Sequence, residues 1–143
     1  MIVFIPPNAD GTYPRPPLKV WWIIWVFLLV DLLGIYAVLG QGPLLPAPSG
    51  GNPLTNLVGF VPLFISIIIR WLVLPRSAEP MRAFVLFVVG IALAESCGLL
   101  GIFLGGPYRD SLFVLGVLGV TQYVPFYAKK LFDPKGSGFI PNN

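Results

Sequence analysis

The sequence predicts an all-α membrane protein with four transmembrane helices. Three observations favour this fold class: 56% of the 143 residues are hydrophobic, only 10% are charged, and the apolar residues gather in four long runs. A soluble domain carries about 25% charged residues. Each run approaches the roughly 20 residues that a helix needs to cross a hydrocarbon layer of about 30 Å. The runs cover approximately residues 20–39, 54–74, 83–105 and 111–128.

The remaining residues leave no segment that could form a soluble core, so residues 1–143 are predicted to form a single four-helix transmembrane domain. Residues 1–17 and 133–143 are rich in proline, or in glycine and polar residues, which predicts irregular tails. The first apolar run is too long for the core of a signal peptide, and no small-residue cleavage site follows it before the next loop. We therefore expect it to remain in the protein as helix 1.

The basic residues are distributed unequally between the two sides of such a bundle. With four spans, the two termini and the loop between helices 2 and 3 share one side, which holds eight of the nine basic residues, while Arg109 alone lies on the other. By the positive-inside rule, both termini are cytoplasmic and the protein lies in the cell (inner) membrane. The expected partner is the lipid bilayer with its anionic headgroups, and no nucleic acid is expected. The eight residues are Arg15, Lys19, Arg70, Arg76, Arg82, Lys129, Lys130 and Lys135.

The chain has no histidine, and Cys97 is its single cysteine. The commonest general base and the commonest metal ligand are therefore missing, and a disulfide within the chain is excluded. A clustered polar constellation of the kind that enzymes use is also missing from the sequence. We expect no enzymatic activity, no cofactor and no metal site.

Aromatic residues and a proline characterise the first two helices. Trp21, Trp22 and Trp25 lie at the cytoplasmic end of helix 1, where an interfacial aromatic belt is expected. Pro62 lies inside the second run, and since proline lacks an N–H and its ring crowds the preceding turn, it predicts a kink in helix 2.

Helix 3 carries small residues at spacings that bring them to one narrow stripe of its surface. Such a stripe lets a neighbouring helix approach closely. The predicted helix-packing residues are Gly90, Ala94, Gly98, Gly101 and Gly105. Helix 4 carries Gly116 and Gly119, then a polar group that begins at Thr121, and Pro125 near its end.

Asp31 in helix 1 and Glu95 in helix 3 are acidic residues inside apolar runs. A carboxylate in the middle of a bilayer costs roughly 3 kcal/mol on insertion scales. Counted from the cytoplasmic ends of their helices, both acids lie on the order of 18–20 Å deep at 1.5 Å per residue. They are therefore predicted to lie at one level, where they could share a proton if the two helices touch.

The two acidic helices also match each other in sequence. DLLGIYAVLGQGP, residues 31–43, aligns without a gap on ESCGLLGIFLGGP, residues 95–107, so that acid meets acid and each segment ends in Gly-Pro. This match suggests two helical hairpins in parallel repeat, helices 1 and 2 followed by helices 3 and 4. Helices 2 and 4 match poorly, which leaves chance or shared loop chemistry as the alternative.

Two carboxyls in apolar surroundings have a functional and a structural interpretation. They can form a site that binds a proton or cation, for which Glu95 and Asp31 are the candidate ion-binding residues and Thr121, Gln122 and Tyr123 the candidate neutral partners. Alternatively, each acid stays protonated and donates a hydrogen bond that fixes helix packing. The sequence leaves both interpretations open.

Residues 90–107, which begin Gly-Ile-Ala-Leu-Ala-Glu-Ser-Cys-Gly, locally resemble the carboxylate helix of subunit c, the proteolipid of rotary ATP synthases. By this resemblance Glu95 would be the ion-binding carboxyl. Helix 2 departs from the family's glycine-rich partner helix, since Gly59 is its only glycine. The chain as a whole is similar to small four-helix bacterial membrane proteins.

Two functions are therefore expected. The first is a small polytopic membrane protein whose midplane carboxyl pair binds or translocates protons or cations, within a homo-oligomer or a larger membrane complex. The second is a non-catalytic accessory or scaffolding subunit of such a complex, in which the acids are protonated packing residues. Asp31→Asn would abolish the first function and would be tolerated by the second.

Overall fold

A computed structural model describes residues 16–41, 54, 57–77, 79–104 and 106–128. This part of the chain is all-α and contains four helices, which confirms the predicted fold class at this level. The predicted irregular tails lie outside the described residues, apart from residues 16 and 17. The helices are α1, Leu18–Val38; α2, Phe60–Ile68; α3, Pro80–Leu104; and α4, Arg109–Thr121.

Two of the four helices are long and apolar enough to cross a membrane, namely α1 with 21 residues and α3 with 25. At 1.5 Å per residue they extend about 31 and 37 Å. Helices α2 and α4 have 9 and 13 residues and end well short of the predicted runs. Of the four membrane-length helices that the sequence predicts, the described residues therefore contain two, α1 and α3.

Prolines explain why α2 is short. The chain turns at residues 58–59 and α2 begins at Phe60, so Pro62 lies in the first helical turn, where its missing N–H has no intrahelical partner to lose. The predicted kink thus appears as a break before the helix. Pro75 then crowds the carbonyl of Trp71, and the chain continues as a π-helical segment, Ile69–Val73, and a 3-10 segment, Leu74–Arg76.

Helix α4 ends at Thr121, seven residues before the predicted boundary at 128. Residues 122–123 form a turn, and Val124 is extended, with φ −49° and ψ 126°. Because proline disfavours helical backbone in the residue before it, Pro125 stops the helix here and starts a 3-10 turn, Pro125–Tyr127.

Helices α3 and α4 form an antiparallel hairpin at the centre of the fold. Gly106 has a φ of 82°, a backbone conformation that favours glycine, in the turn that joins them. The helices approach most closely at Gly98 and Gly116, where a Cβ added to Gly116 would lie 2.6 Å from the Gly98 nitrogen. A Cβ on Gly119 would lie 3.0 Å from the Ala94 Cβ. Small residues on both helices therefore allow this backbone contact.

The stripe on α3 is buried at each position that the structure describes. Gly90 lies under the hydroxyl of Tyr123, Ala94 and Gly98 face α4, and a Cβ on Gly101 would lie 2.6 Å from the Leu112 Cβ. Gly105 lies outside the described residues. The stripe thus contacts α4 and the turn after it, and at Gly98 it also contacts Leu32 of α1.

Helices α1 and α2 pack against this hairpin more than against each other. The Ser66 hydroxyl of α2 donates to the Gly90 carbonyl at 2.7 Å, and the Tyr123 hydroxyl donates to the Ser66 carbonyl at 2.6 Å. On α1, the Trp25 Nε1 donates to the Val120 carbonyl at 2.9 Å. A parallel repeat would pair α1 with α2 as closely as α3 with α4, and the observed packing lacks this symmetry.

The tryptophans of α1 contribute to packing rather than only to an interfacial belt. Trp21 is fully buried, and its ring centroid lies 4.8 Å from that of Phe87 and 5.2 Å from that of Phe84. Trp22 is half-buried and packs edge-on against Trp25. One end of α1 is therefore held by aromatic contacts with α3.

The close Gly98/Gly116 contact predicts that the stability of the fold depends steeply on side-chain size at Gly116. Gly116→Ala places a methyl group against backbone atoms of α3 that cannot rotate away, so we expect a loss of about 1–3 kcal/mol in the free energy of unfolding. Gly34→Ala is the matched control, since a Cβ there meets nothing within 4 Å. It should leave stability unchanged or raise it by up to about 1 kcal/mol. Thermal unfolding of both variants in detergent measures the difference, and equal effects would contradict the packing described.

Candidate functional site

The structure brings Asp31 and Glu95 together, with their carboxyl groups within hydrogen-bonding reach of each other. The two acids come from different helices, α1 and α3, which pack against each other. Each acid lies on the order of 20 Å from the start of its helix at 1.5 Å per residue. The two acids therefore lie at similar distances along two helices that pack against each other.

A hydrogen bond between two carboxyl groups requires a proton. An ionised carboxylate can only accept hydrogen bonds, whereas a protonated carboxyl has one O–H to donate. The pair can form such a bond only when at least one of Asp31 and Glu95 carries a proton. Loss of every proton from the pair would leave two negative charges facing each other, which costs more in apolar surroundings than in water.

The two carboxyls have unequal surroundings. Glu95 is 7% exposed and lies beside the glycine stripe of α3. Asp31 is exposed on the outer side of α1 and lies in a shallow apolar groove. The site is therefore closed on the side of Glu95 and open on the side of Asp31. The groove is lined by Phe27, Val30, Asp31, Gly34, Ile35, Val38 and Leu39.

Leucine and glycine position the pair. Leu32, the residue after Asp31, is fully buried, and its Cδ1 lies 2.8 Å from where a Cβ on Gly98 would be. The absence of a side chain at Gly98 therefore lets α1 lie close against α3 beside the two acids. This contact is one turn from Glu95 along α3, since helical residues three apart share a face.

The three predicted neutral partners are engaged elsewhere. The Thr121 hydroxyl donates to the Val117 carbonyl within α4 at 2.8 Å. The Gln122 side chain accepts a hydrogen bond from Trp71 Nε1 at 3.1 Å, and its backbone carbonyl accepts one from Arg70 Nε at 2.7 Å.

Tyr123 makes its hydrogen bonds to α2. Its hydroxyl donates to the Ser66 carbonyl and lies 3.3 Å from the Ser66 hydroxyl oxygen. The described hydrogen bond of Thr121 therefore stays within α4. Those of Gln122 and Tyr123 join the turn after α4 to α2 and to the π-helical segment that follows it. Ser66 was missed by the sequence reasoning, although a lone hydroxyl in the apolar stretch FVPLFISII is a usable signal.

A second polar cluster joins the end of α1 to the start of α4. The Tyr36 hydroxyl donates to Asp110 Oδ1 at 3.0 Å, and Arg109 Nε lies 2.9 Å from the same oxygen. The Arg109 guanidinium also donates to the Gly40 carbonyl at 3.1 Å. The Tyr36 ring stacks on Phe113 with centroids 3.6 Å apart.

This cluster was also missed by the sequence analysis, which noted only that Arg109 is the single basic residue on its side of the bundle. The adjacent opposite charges at the start of a helix were visible, but their partner Tyr36 is distant in the chain. Arg109 is nearly buried, whereas the Asp110 side chain is 47% exposed. The hydrogen bond from Arg109 holds the pKa of Asp110 below its ordinary value of 3.8, with a smaller contribution from Tyr36.

Comparison of the chain with protein-family models, with curated proteins and with solved structures gives no match.

The polar contacts of Asp110 with Tyr36 and Arg109 indicate that the fold loses stability in acid. Because the pKa of this carboxyl is lower in the folded chain than in the unfolded chain, the cluster stabilises the fold above about pH 4 and loses this contribution as the pH falls through the lowered pKa. The effect should be small, since Asp110 is half exposed. Asp110→Asn should remove it. Unfolding temperatures of the two proteins, measured from pH 7 to pH 2, should converge at low pH, and parallel curves would contradict this assignment.

Proposed function

We propose that this chain is an integral membrane protein that binds a proton between Asp31 and Glu95 within the bilayer. Two helices of membrane length support the membrane assignment. In this proposal the chain crosses four times, with α2 extended by the segment to Arg76 and α4 by the turns to Tyr127. The basic residues, eight on one side and one on the other, favour a cytoplasmic location for both termini.

The observation that carries the proposal is the close approach of the two carboxyls, one on α1 and one on α3, within hydrogen-bonding reach. Ionisable residues inside a membrane are costly and are commonly functional. Here the pair needs a proton for its own hydrogen bond, so the site is occupied at rest. It exchanges that proton only when a polar path reaches the open side at Asp31.

The small number of oxygen ligands around the site favours the binding of a proton over the binding of a metal cation. Cations such as Na⁺ or Ca²⁺ take several oxygen ligands, and Ca²⁺ takes 6–8. Thr121, Gln122 and Tyr123, which could have completed such a shell, make their hydrogen bonds elsewhere. The resemblance of residues 90–107 to the carboxylate helix of subunit c is in keeping with a proton-binding role for Glu95.

A second candidate is an accessory subunit in which the pair only fixes helix packing. It is favoured by the position of the pair beside the Leu32/Gly98 contact, where a hydrogen bond between α1 and α3 adds to the packing. In a membrane, hydrogen bonds between helices contribute about 0.6 kcal/mol on average. This candidate requires a hydrogen bond at the site, but it does not require a proton that can be exchanged.

The double variant Asp31→Asn/Glu95→Gln distinguishes the two candidates. Two amides can donate to each other, so packing is preserved, but neither amide releases a proton near neutral pH. In vesicles with an imposed pH gradient, we expect wild type to show proton movement and the double variant to lose it while keeping its unfolding temperature. Asp110→Asn, which removes a carboxyl outside the pair, should match wild type.

Labelling by a hydrophobic carbodiimide supplies a second measurement on the same proteins. The reagent modifies protonated carboxyls in apolar surroundings, so we expect mass spectrometry to locate the label at Glu95 or Asp31 in wild type and in Asp110→Asn. Proton movement in wild type should stop after labelling. If the pair takes the label but the double variant behaves as wild type in the vesicles, the proton-binding function is wrong and the packing role stands. A pair that takes no label contradicts both candidates.

A further inference from the structure

An open groove of about 150 Å³ lies between α2 and α4. Each of its walls consists of apolar residues one helical turn apart, which places them on the same side of their helix. They are Leu63 and Ile67 on α2, and Leu115 and Leu118 on α4. Ile67 and Leu118 are exposed, so the groove is open to the surroundings of the helices. In the proposed membrane orientation, these surroundings are lipid.

The cytoplasmic end of this groove is polar on both walls. Gln122 lines the groove one turn beyond Leu118. On the other wall, Arg70 lies one turn beyond Ile67, in the π-helical segment that continues α2. Arg70 Nε donates to the Gln122 backbone carbonyl at 2.7 Å. The two walls therefore meet at a charged and an amide side chain.

These two side chains offer hydrogen-bond donors and a positive charge. The amide oxygen of Gln122 accepts from Trp71 Nε1 at 3.1 Å, which leaves the amide N–H groups on the other side of the side chain. Arg70 contributes a guanidinium with several N–H donors, of which the one at Nε holds the Gln122 carbonyl. A phosphate group carries negative charge and accepts hydrogen bonds, so it complements both side chains.

The surroundings of Arg70 and Gln122 fit a headgroup at the surface of the bilayer. Trp71 is exposed beside Arg70, and tryptophans are enriched where helices leave the hydrocarbon. In the proposed topology, the same side of the chain has eight basic residues and three acidic ones. This excess of positive charge favours an anionic lipid over a zwitterionic one.

We propose that the groove binds one anionic phospholipid of the cytoplasmic leaflet, with an acyl chain between α2 and α4 and the phosphate at Arg70 and Gln122. The headgroup then bridges the α2 segment and the turn after α4, while the acyl chain covers the apolar walls. The proposal rests on the membrane assignment of the proposed function. It does not depend on a proton between Asp31 and Glu95.

Native mass spectrometry of the full chain in detergent tests recognition of the headgroup, with phosphatidylglycerol and phosphatidylcholine of identical acyl chains as probes. Wild type should retain phosphatidylglycerol in preference. Arg70→Met should lower that affinity by about tenfold, the loss expected for one charge-assisted hydrogen bond. Arg76→Met is the matched control, since it removes the same charge from an exposed side chain later in the segment. Its effect should stay within about twofold, because exposed charges are screened by salt.

Equal losses in Arg70→Met and Arg76→Met indicate a diffuse basic surface and overturn the proposal. Two further variants keep the test decisive if Arg70→Met folds poorly. Gln122→Glu keeps an oxygen that accepts from Trp71 but replaces the amide donors by negative charge, so the preference for phosphatidylglycerol should be lost. Arg70→Lys keeps the charge and should retain the preference. An unchanged preference in Gln122→Glu, at the wild-type unfolding temperature, overturns the proposal.

Ile67→Trp and Ile65→Trp test the groove itself. Both residues lie on α2 and have similar exposure, 40% and 43%, but Ile67 lines the groove and Ile65 does not. A tryptophan at position 67 fills the groove, so retention of both lipids should fall, whereas Ile65→Trp should match wild type. Equal retention in the two variants overturns the assignment of the acyl chain to this groove.

Glycerol phosphate, which carries the phosphate without acyl chains, distinguishes a lipid from a free phosphate. It should not displace phosphatidylglycerol from wild type, and displacement overturns the lipid assignment. The result is separable from the proposed function. If the lipid site fails, proton movement and its loss in Asp31→Asn/Glu95→Gln are unaffected. If proton binding fails, the double variant behaves as wild type in the vesicles while the preference for phosphatidylglycerol persists.

Discussion

A hydrogen bond between two carboxyl groups exists only while at least one of them is protonated, and this requirement governs the centre of the molecule. Asp31 and Glu95 lie on two helices that are long and apolar enough to cross a membrane, and in the proposed membrane orientation each would be costly as an isolated charge. In the proposed function they share a proton, which satisfies both carboxyls and joins α1 to the α3/α4 hairpin. Loss of that proton would replace an attraction between the two helices by a repulsion. The protonation state of the pair and the position of α1 are therefore linked.

The small residues of α3 make this contact possible. Gly98 receives the Leu32 side chain of α1, and its backbone lies against Gly116 of α4. Gly98 therefore contacts both α1 and α4, and it lies within one turn of Glu95. Larger side chains there would hold α1 and α4 away from α3 and would separate the carboxyls. Two polar contacts support α1 on either side of the pair: Trp25 with the Val120 carbonyl, and Tyr36 with Asp110.

The parts of this account that could be predicted from the sequence depend on local pattern. Apolar runs predicted the helices, and counting along them placed Asp31 and Glu95 at one level. The partners of the site could not be predicted in this way. Thr121, Gln122 and Tyr123 were chosen for their chemistry, but Pro125 ends α4 early and turns this segment towards α2, where Ser66 and Trp71 bind it. The Tyr36/Asp110 contact joins residues far apart in the chain, and only the packing of α1 on α4 brings them together.

Infrared spectroscopy of the membrane-embedded protein tests the shared proton most directly. The C=O stretch of a protonated carboxyl is separate from the bands of a carboxylate, and a wild type minus Glu95→Gln difference spectrum isolates the contribution of the pair. The account predicts a protonated carboxyl band at neutral pH that is lost in the Asp31→Asn/Glu95→Gln variant and kept in Asp110→Asn. If wild type shows only carboxylate bands for Asp31 and Glu95 at neutral pH, the two acids do not share a proton and the account is contradicted.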